Sequence, residues 1–184
     1  MADHNHKEIR VAIEDRLTLK SFVSCGPTAV GAVTGADEDS VCAAIREAAK
    51  EDGEHPAHLK DCSFPHQCRA VELLGYELRT LDGIKIDARS LPRKYVVDQN
   101  SPTVDEFVRG NESDEVLLCL AGGQRPGQPK PEAHSFAVDR KRYFDNNTVG
   151  ESVPANDIRR DLAMFRVVKV LAVPRTKSDV DESE

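Results

Sequence analysis

Cys25 opens a run of small and apolar residues, Cys25-Gly26-Pro27-Thr28-Ala29-Val30-Gly31-Ala32-Val33-Thr34-Gly35. The run predicts a buried helix that begins near Gly26 and stops at Gly35. Pro27 suits its first turn, where no amide donor is required. A thiol at a helix N-terminus faces the positive end of the macrodipole and unpaired backbone amides, and both lower its pKa. Gly26 is expected to leave the space in front of the sulfur open to a substrate carbonyl. The Cys25 amide would supply one oxyanion donor. The same pattern also fits a plain core cysteine at a helix start, because unoxidised cysteine is often buried.

His134 weighs against that plainer reading. It lies on an expected strand directly after a glycine- and proline-rich stretch, Gly122 to Pro131. The charged turn Asp139-Arg140-Lys141-Arg142 would fold His134–Val138 against Tyr143–Asp145 as a hairpin. That register pairs Val138 with Tyr143, Phe136 with Asp145 and His134 with Asn147. Residues opposed across a ladder share a face, and diagonal neighbours stay within reach. His134, Asp145 and Asn147 would then lie together, the geometry a general base needs when a carboxylate or amide orients its second nitrogen. A register shifted by one residue would replace Asp145 with Asn146 and leave an ordinary strand histidine.

The elements that must hold these groups can be read around them. A second helix has Asp39 or Ser40 as its cap and Val41, Ala44, Ile45 and Ala48 on one face at helical spacing. Residues 51–67 read as a loop. A short helix from Gln67 to Leu74 ends at Gly75, a residue type suited to a left-handed C-cap. Tyr76–Leu81 reads as a strand, and 102–108 as a short helix starting at Pro102 or Thr103. Glu115–Ala121 and Phe165–Val173 complete the strands. Cys42 and Cys119 are expected in the core. Helices first and an antiparallel sheet afterwards define an α+β domain.

Composition bounds the possibilities. The chain has 184 residues, enough for one domain with its own core and no disulfides. Its net charge of -7 opposes nucleic-acid binding, since phosphate backbones would be repelled. No apolar stretch approaches the ~20 residues that span a bilayer, so no membrane partner is expected. Met1–Arg10 is polar and lacks the apolar region of a secretory signal. The cysteines number five and are irregularly spaced, which argues against a disulfide framework and for a reducing cytoplasm. The expected organisation is a polar N-terminal segment (1–20), one domain (21–174) and a disordered charged tail (175–184).

His55, His58, Cys62, His66 and Cys68 crowd a short stretch and are all potential zinc ligands. Their spacing matches no specific zinc pattern, and loops often collect histidines. No metal or other cofactor is therefore assigned.

The order Cys-Gly-Pro-Thr-Ala at a helix start, Gly-Tyr after a middle helix, and a strand histidine followed eleven residues later by the aspartate of Tyr-Phe-Asp resembles papain-like cysteine peptidases. The likeness is to compact bacterial, phage-type and bacteriocin-processing members, over about residues 20–173. It implies a nucleophile-bearing helix packed on an antiparallel sheet, with Cys25 as nucleophile, His134 as base and Asp145 as orienter. Such enzymes usually carry a Gln a few residues before the cysteine. Here Leu19, Lys20 and Ser21 stand there, which leaves Ser21, Ser24 or a backbone amide for the oxyanion, and Asn147 as a second possible orienter. The implied activity is hydrolysis of an amide, peptide or isopeptide bond in a protein or peptide substrate. Two alternatives share the fold: a catalytically silent binding module that takes zinc in the 55–68 region, and a glutamine deamidase or acyltransferase using the same three residues.

Overall fold

The computed structural model describes residues 24–54, 59, 62–93, 100–112, 114–123, 132–146, 153–154 and 163–172, with backbone only at 132, 153–154 and 163–172. Helix α1, Cys25–Thr34, begins after Ser24 in extended conformation and ends at Gly35, whose φ of 66° needs no Cβ. The Gly35 amide returns to the Gly31 carbonyl. The Tyr76 hydroxyl donates to the Thr34 carbonyl and ties the helix end to the strand beyond.

Helix α2, Glu38–Glu51, is capped by Asp37 rather than by Asp39 or Ser40. Asp37 Oδ1 accepts from the Ser40 amide at 2.9 Å. Glu38 and Asp39 then occupy the first turn, where the macrodipole favours negative charge. Val41, Ala44, Ile45 and Ala48 form the buried stripe that their spacing predicted. Helix α3, Phe64–Leu73, begins three residues before Gln67. Ser63 caps it by accepting from the His66 amide, and Pro65 fits a first turn that has no amide to satisfy. The chain leaves α3 through Gly75 at φ 90°.

The strands are β1 (Tyr76–Arg79), β2 (Lys85–Ile86), β3 (Val116–Gly123), β4 (Glu132–Asp139), β5 (Arg142–Phe144), β6 (Val153–Pro154) and β7 (Ala163–Ala172). A 3₁₀ turn at Ala88–Ser90 and helix α4, Val104–Gly110, lie between β2 and β3. Thr103 caps α4 in a reciprocal box with Glu106. The sheet order is β2-β1-β7-β3-β4-β5-β6, and every ladder is antiparallel. The class is therefore α+β. Gly122 and Gly123 belong to β3 and not to the expected loop; 124–131 and the tail 175–184 lie outside the described residues.

Alternation along β3 and β4 divides the interior in two. Val116, Leu118, Leu120, Ala137 and Phe144 join α1, α2 and α3 in one apolar cluster. Leu117, Cys119, Ala121, Phe136, Val138 and Tyr143 join Val104 and Val108 of α4 in the other. The sheet is thus covered on both faces at its centre. Cys119 is fully buried as expected, whereas Cys42 is only half-buried on α2. Among the described residues no helix is long and apolar enough to cross a membrane.

Candidate functional site

The β4–β5 hairpin closes more tightly than a four-residue turn. Asp139 pairs with Arg142, so only Arg140 and Lys141 span the loop, and Arg140 takes a φ of 56°. Asn111 Nδ2 donates to the Arg140 carbonyl at 2.6 Å and holds that unusual residue in place. The register itself is the expected one: Val138 faces Tyr143 and Ala137 faces Phe144. Continuing it sets Phe136 opposite Asp145, on the face that carries His134.

His134 Nε2 lies 2.7 Å from Asp145 Oδ2. The Asp145 side chain is wholly buried and the His134 ring is 11% exposed. The ring stacks on Phe136 with centroids 6.2 Å apart and planes 17° from parallel. A carboxylate on Nε2 fixes the tautomer and leaves Nδ1 as the free base nitrogen. The Cys25 side chain hydrogen-bonds to the same imidazole.

Cys25 comes from the other side of the sheet. β5 pairs only with residues 137–139 of β4, so the β4 edge at residues 134–136 carries no strand partner there among the described residues. The start of α1 meets this edge, and the Ser135 amide hydrogen-bonds to the Cys25 sulfur. Burial pushes the Cys25 thiol up. Hydrogen bonds from His134, from the Ser135 amide and from the Gly26 amide, with the imidazolium charge, outweigh it and bring the thiol below its ordinary value. Burial pulls His134 down, but hydrogen bonds to Asp145 and Cys25, and the charges of both, raise it above its ordinary value. The two shifts reinforce each other: both move the pair toward thiolate and imidazolium. By contrast, burial alone holds Cys119 well above the usual thiol range. Cys68 is raised well above it too, by burial and then by the Glu72 charge.

Tyr143 completes the cluster, a residue whose role sequence reasoning missed. Its hydroxyl donates to Asp145 Oδ2 at 2.5 Å and lies 3.0 Å from His134 Nε2. The signal was present: Tyr143 and Asp145 are two apart on one strand face, and a buried tyrosine hydroxyl needs a partner.

The face of Gly26 corrects another expectation. A Cβ there would stand 2.9 Å from Gln67 Nε2, 3.1 Å from Gln67 Cδ and 3.2 Å from Cys62 Sγ. Glycine at this position therefore admits α3 and its preceding loop against α1; the space it leaves is filled by protein and does not stand open to substrate. Gln67 is buried, and its Oε1 has no hydrogen-bond partner among the described residues. A glutamine thus stands against the residue that follows Cys25, although none precedes Cys25 closely in the chain. Ser24 is the residue before α1, but its side chain makes no cap bond. Its carbonyl accepts from the amide and hydroxyl of Thr28. Ser21 and Asn147 lie outside the described residues.

The 55–68 cluster is dispersed where it can be followed. His55 and His58 lie outside the described residues. His66 is buried with Nε2 2.9 Å from Asp52 Oδ2, and Cys68 is fully buried in the helical core. No group of three or more His, Cys, Asp or Glu that could hold a metal occurs among the described residues.

Comparisons of the chain with protein-family models, curated proteins and solved structures returned no match.

Proposed function

We propose that the protein is a papain-like cysteine hydrolase that cleaves an amide or peptide bond through Cys25, His134 and Asp145. One observation supports this above the others. A thiol, an imidazole and a buried carboxylate stand in series, and the pKa values of the first two are moved in opposite, mutually useful directions. In this reading the Cys25 thiolate attacks the substrate carbonyl, and the tetrahedral oxyanion forms at the start of α1. The first-turn amides of a helix have no intrahelical acceptor, so the Cys25 amide is a ready donor there. His134 Nδ1 delivers its proton to the leaving amine, and the free product departs. The same nitrogen then accepts a proton from water as its oxygen attacks the thioester carbonyl; the C–S bond breaks, the acid product leaves, and the Cys25 thiolate and His134 imidazolium are restored. Asp145 keeps the imidazole in its tautomer and stabilises the imidazolium.

The substrate in this reading is a protein or peptide that presents its carbonyl to Cys25 at the start of α1. A reducing compartment, such as the cytoplasm, would keep Cys25 as a thiol. The experiment is hydrolysis of a fluorogenic peptide-amide library by the full chain and by Cys25→Ala. Turnover that requires Cys25 is the expected result; turnover that survives in Cys25→Ala would remove the nucleophile assignment.

A further inference from the structure

We infer that Tyr143 is a positioning residue of the site: its hydroxyl shares Asp145 Oδ2 with His134 and so sets the direction and strength of the carboxylate's hold on the imidazole. The inference rests on the hydrolase reading for its catalytic meaning, but its physical content does not.

Three atoms form a closed triangle. His134 Nε2 is 2.7 Å from Asp145 Oδ2, Tyr143 Oη is 2.5 Å from the same oxygen, and Nε2 and Oη are 3.0 Å apart. Asp145 Oδ2 therefore receives two donors. Both come from β-structure: His134 from β4, and Tyr143 from the opposing β5 two residues before the acid. The Tyr143 ring is fixed independently of the site. It lies 4.8 Å from Phe136 between centroids and belongs to the buried cluster with Leu117, Val138, Val104 and Val108. The groups that α4 contributes to this cluster are apolar, and Cys119, its one titratable member besides Tyr143, is held neutral by burial. The ring is thus a rigid post, and its hydroxyl can act only where it is aimed.

The consequence follows from charge. A buried carboxylate oxygen with one donor concentrates its charge on that donor; with two it divides it. Tyr143 therefore weakens the pull of Asp145 on the imidazolium while fixing the carboxylate's orientation. A base held too tightly as imidazolium releases its proton to the leaving group poorly, since general acid–base catalysis favours a pKa close to the working pH. The hydroxyl tempers the histidine and keeps the carboxylate from rotating away from Nε2.

The experiment compares the full chain with Tyr143→Phe, which keeps the ring and removes only the donor. The His134 imidazole is titrated by ring NMR, and the rate of Cys25 alkylation by iodoacetamide is followed against pH. With the competing donor gone, the His134 midpoint should rise by about half a unit to one unit. Where a peptide amide is turned over, kcat should fall about tenfold with KM held. A purely packing role would lower the melting temperature and leave the His134 midpoint in place; that result, or a midpoint that falls, overturns the inference. Should Tyr143→Phe not fold, site-specific 3-fluorotyrosine at 143 gives the opposite test. Its more acidic hydroxyl is a stronger donor, so the His134 midpoint should fall, and an unmoved midpoint overturns the inference. Neither titration needs turnover. A chain that hydrolyses nothing but shows these shifts would therefore contradict the hydrolase reading and leave the role of Tyr143 standing.

Discussion

Among the described residues two histidine–aspartate pairs occur, and they differ in what surrounds them. His134 and Asp145 meet at 2.7 Å, and His66 and Asp52 meet at 2.9 Å, each through Nε2 and Oδ2. In the first pair the carboxylate is fully buried and the imidazole also hydrogen-bonds to a thiol. In the second the carboxylate is 39% exposed and shared with Arg93 at 2.6 Å, and the remaining nitrogen of the buried ring has no hydrogen-bond partner among the described residues. His66 joins the α2 end to the α3 start. A histidine–carboxylate pair is therefore only a clamp until a third group gives its other nitrogen something to exchange a proton with. Here that group arrives because α1 begins against the edge of β4 at residues 134–136, which β5 leaves without a strand partner among the described residues.

Substitutions can break this contrast. The largest effect is expected at Cys25→Ala. It removes the thiol that stands against the first pair and that forms the bond to substrate in the proposed reaction, so activity should fall roughly 10⁴-fold or more, while thermal unfolding stays cooperative. A cysteine-independent rate would end the comparison.

The paired variants His134→Ala and His66→Ala come next. His134→Ala should cost roughly 10²–10⁴-fold in rate and move the alkylation midpoint of Cys25 upward, because the chief group lowering that thiol is lost. His66→Ala should leave the Cys25 midpoint unchanged and reduce stability by about 1–3 kcal/mol, through a lost hydrogen bond and a vacated buried volume. Chemical denaturation and alkylation kinetics on both variants separate the two roles. Equal effects on Cys25 would mean that the clamp and the site are one unit.

Asp145→Ala should cost less than His134→Ala, roughly 10²-fold in kcat with KM little changed. The ring stays stacked on Phe136 and near the Tyr143 hydroxyl, but it loses its tautomer control. A steady-state comparison of the three variants orders them. If Asn147→Ala is worse than Asp145→Ala, the orienter is the asparagine.

The smallest effect on chemistry is expected at Gly26→Ala. The added methyl meets Gln67 and Cys62 at 2.9–3.2 Å, and Gln67 is buried with little room to give. The expected loss is about 1–3 kcal/mol of stability, read as a lower denaturation midpoint. A variant as stable as the parent would show that α3 yields easily at this point.

Much of this was legible in the sequence. Gly35 and the small residues before it set the limits of α1, and the alternation around the 139–142 turn set the hairpin register on which the proximity of His134 and Asp145 depends. Other features were not legible, for physical reasons. Capping chose Asp37 over its neighbours because Glu38 and Asp39 are better placed in the first turn than at the cap, which composition alone does not decide. The start of α3 was obscured by Pro65, which looks like a helix breaker until Ser63 is recognised as the cap. Gly26 was read as making room for a ligand, whereas it makes room for Gln67, a residue 41 positions away whose approach depends on how α3 packs. Tyr143 was visible as a strand residue, but its hydroxyl's target emerges only when the strand face is drawn with its polar atoms.

The most direct test is competitive alkylation of the folded chain by limiting iodoacetamide from about pH 5 to 9, with each cysteine followed by peptide mass spectrometry. Thiolate reacts and thiol does not, so the midpoint of each rate profile reports each pKa. Cys25 should label fastest, with a midpoint below the ordinary thiol value of about 8.5 and therefore substantial reactivity toward the acid end of the range. Cys68 and Cys119, which burial holds neutral, should stay unlabelled until the chain is unfolded. A Cys25 that labels no faster than the half-buried Cys42, with a midpoint at or above the ordinary value, would contradict the account: the sulfur would then be a core thiol beside a histidine, not a nucleophile prepared by one.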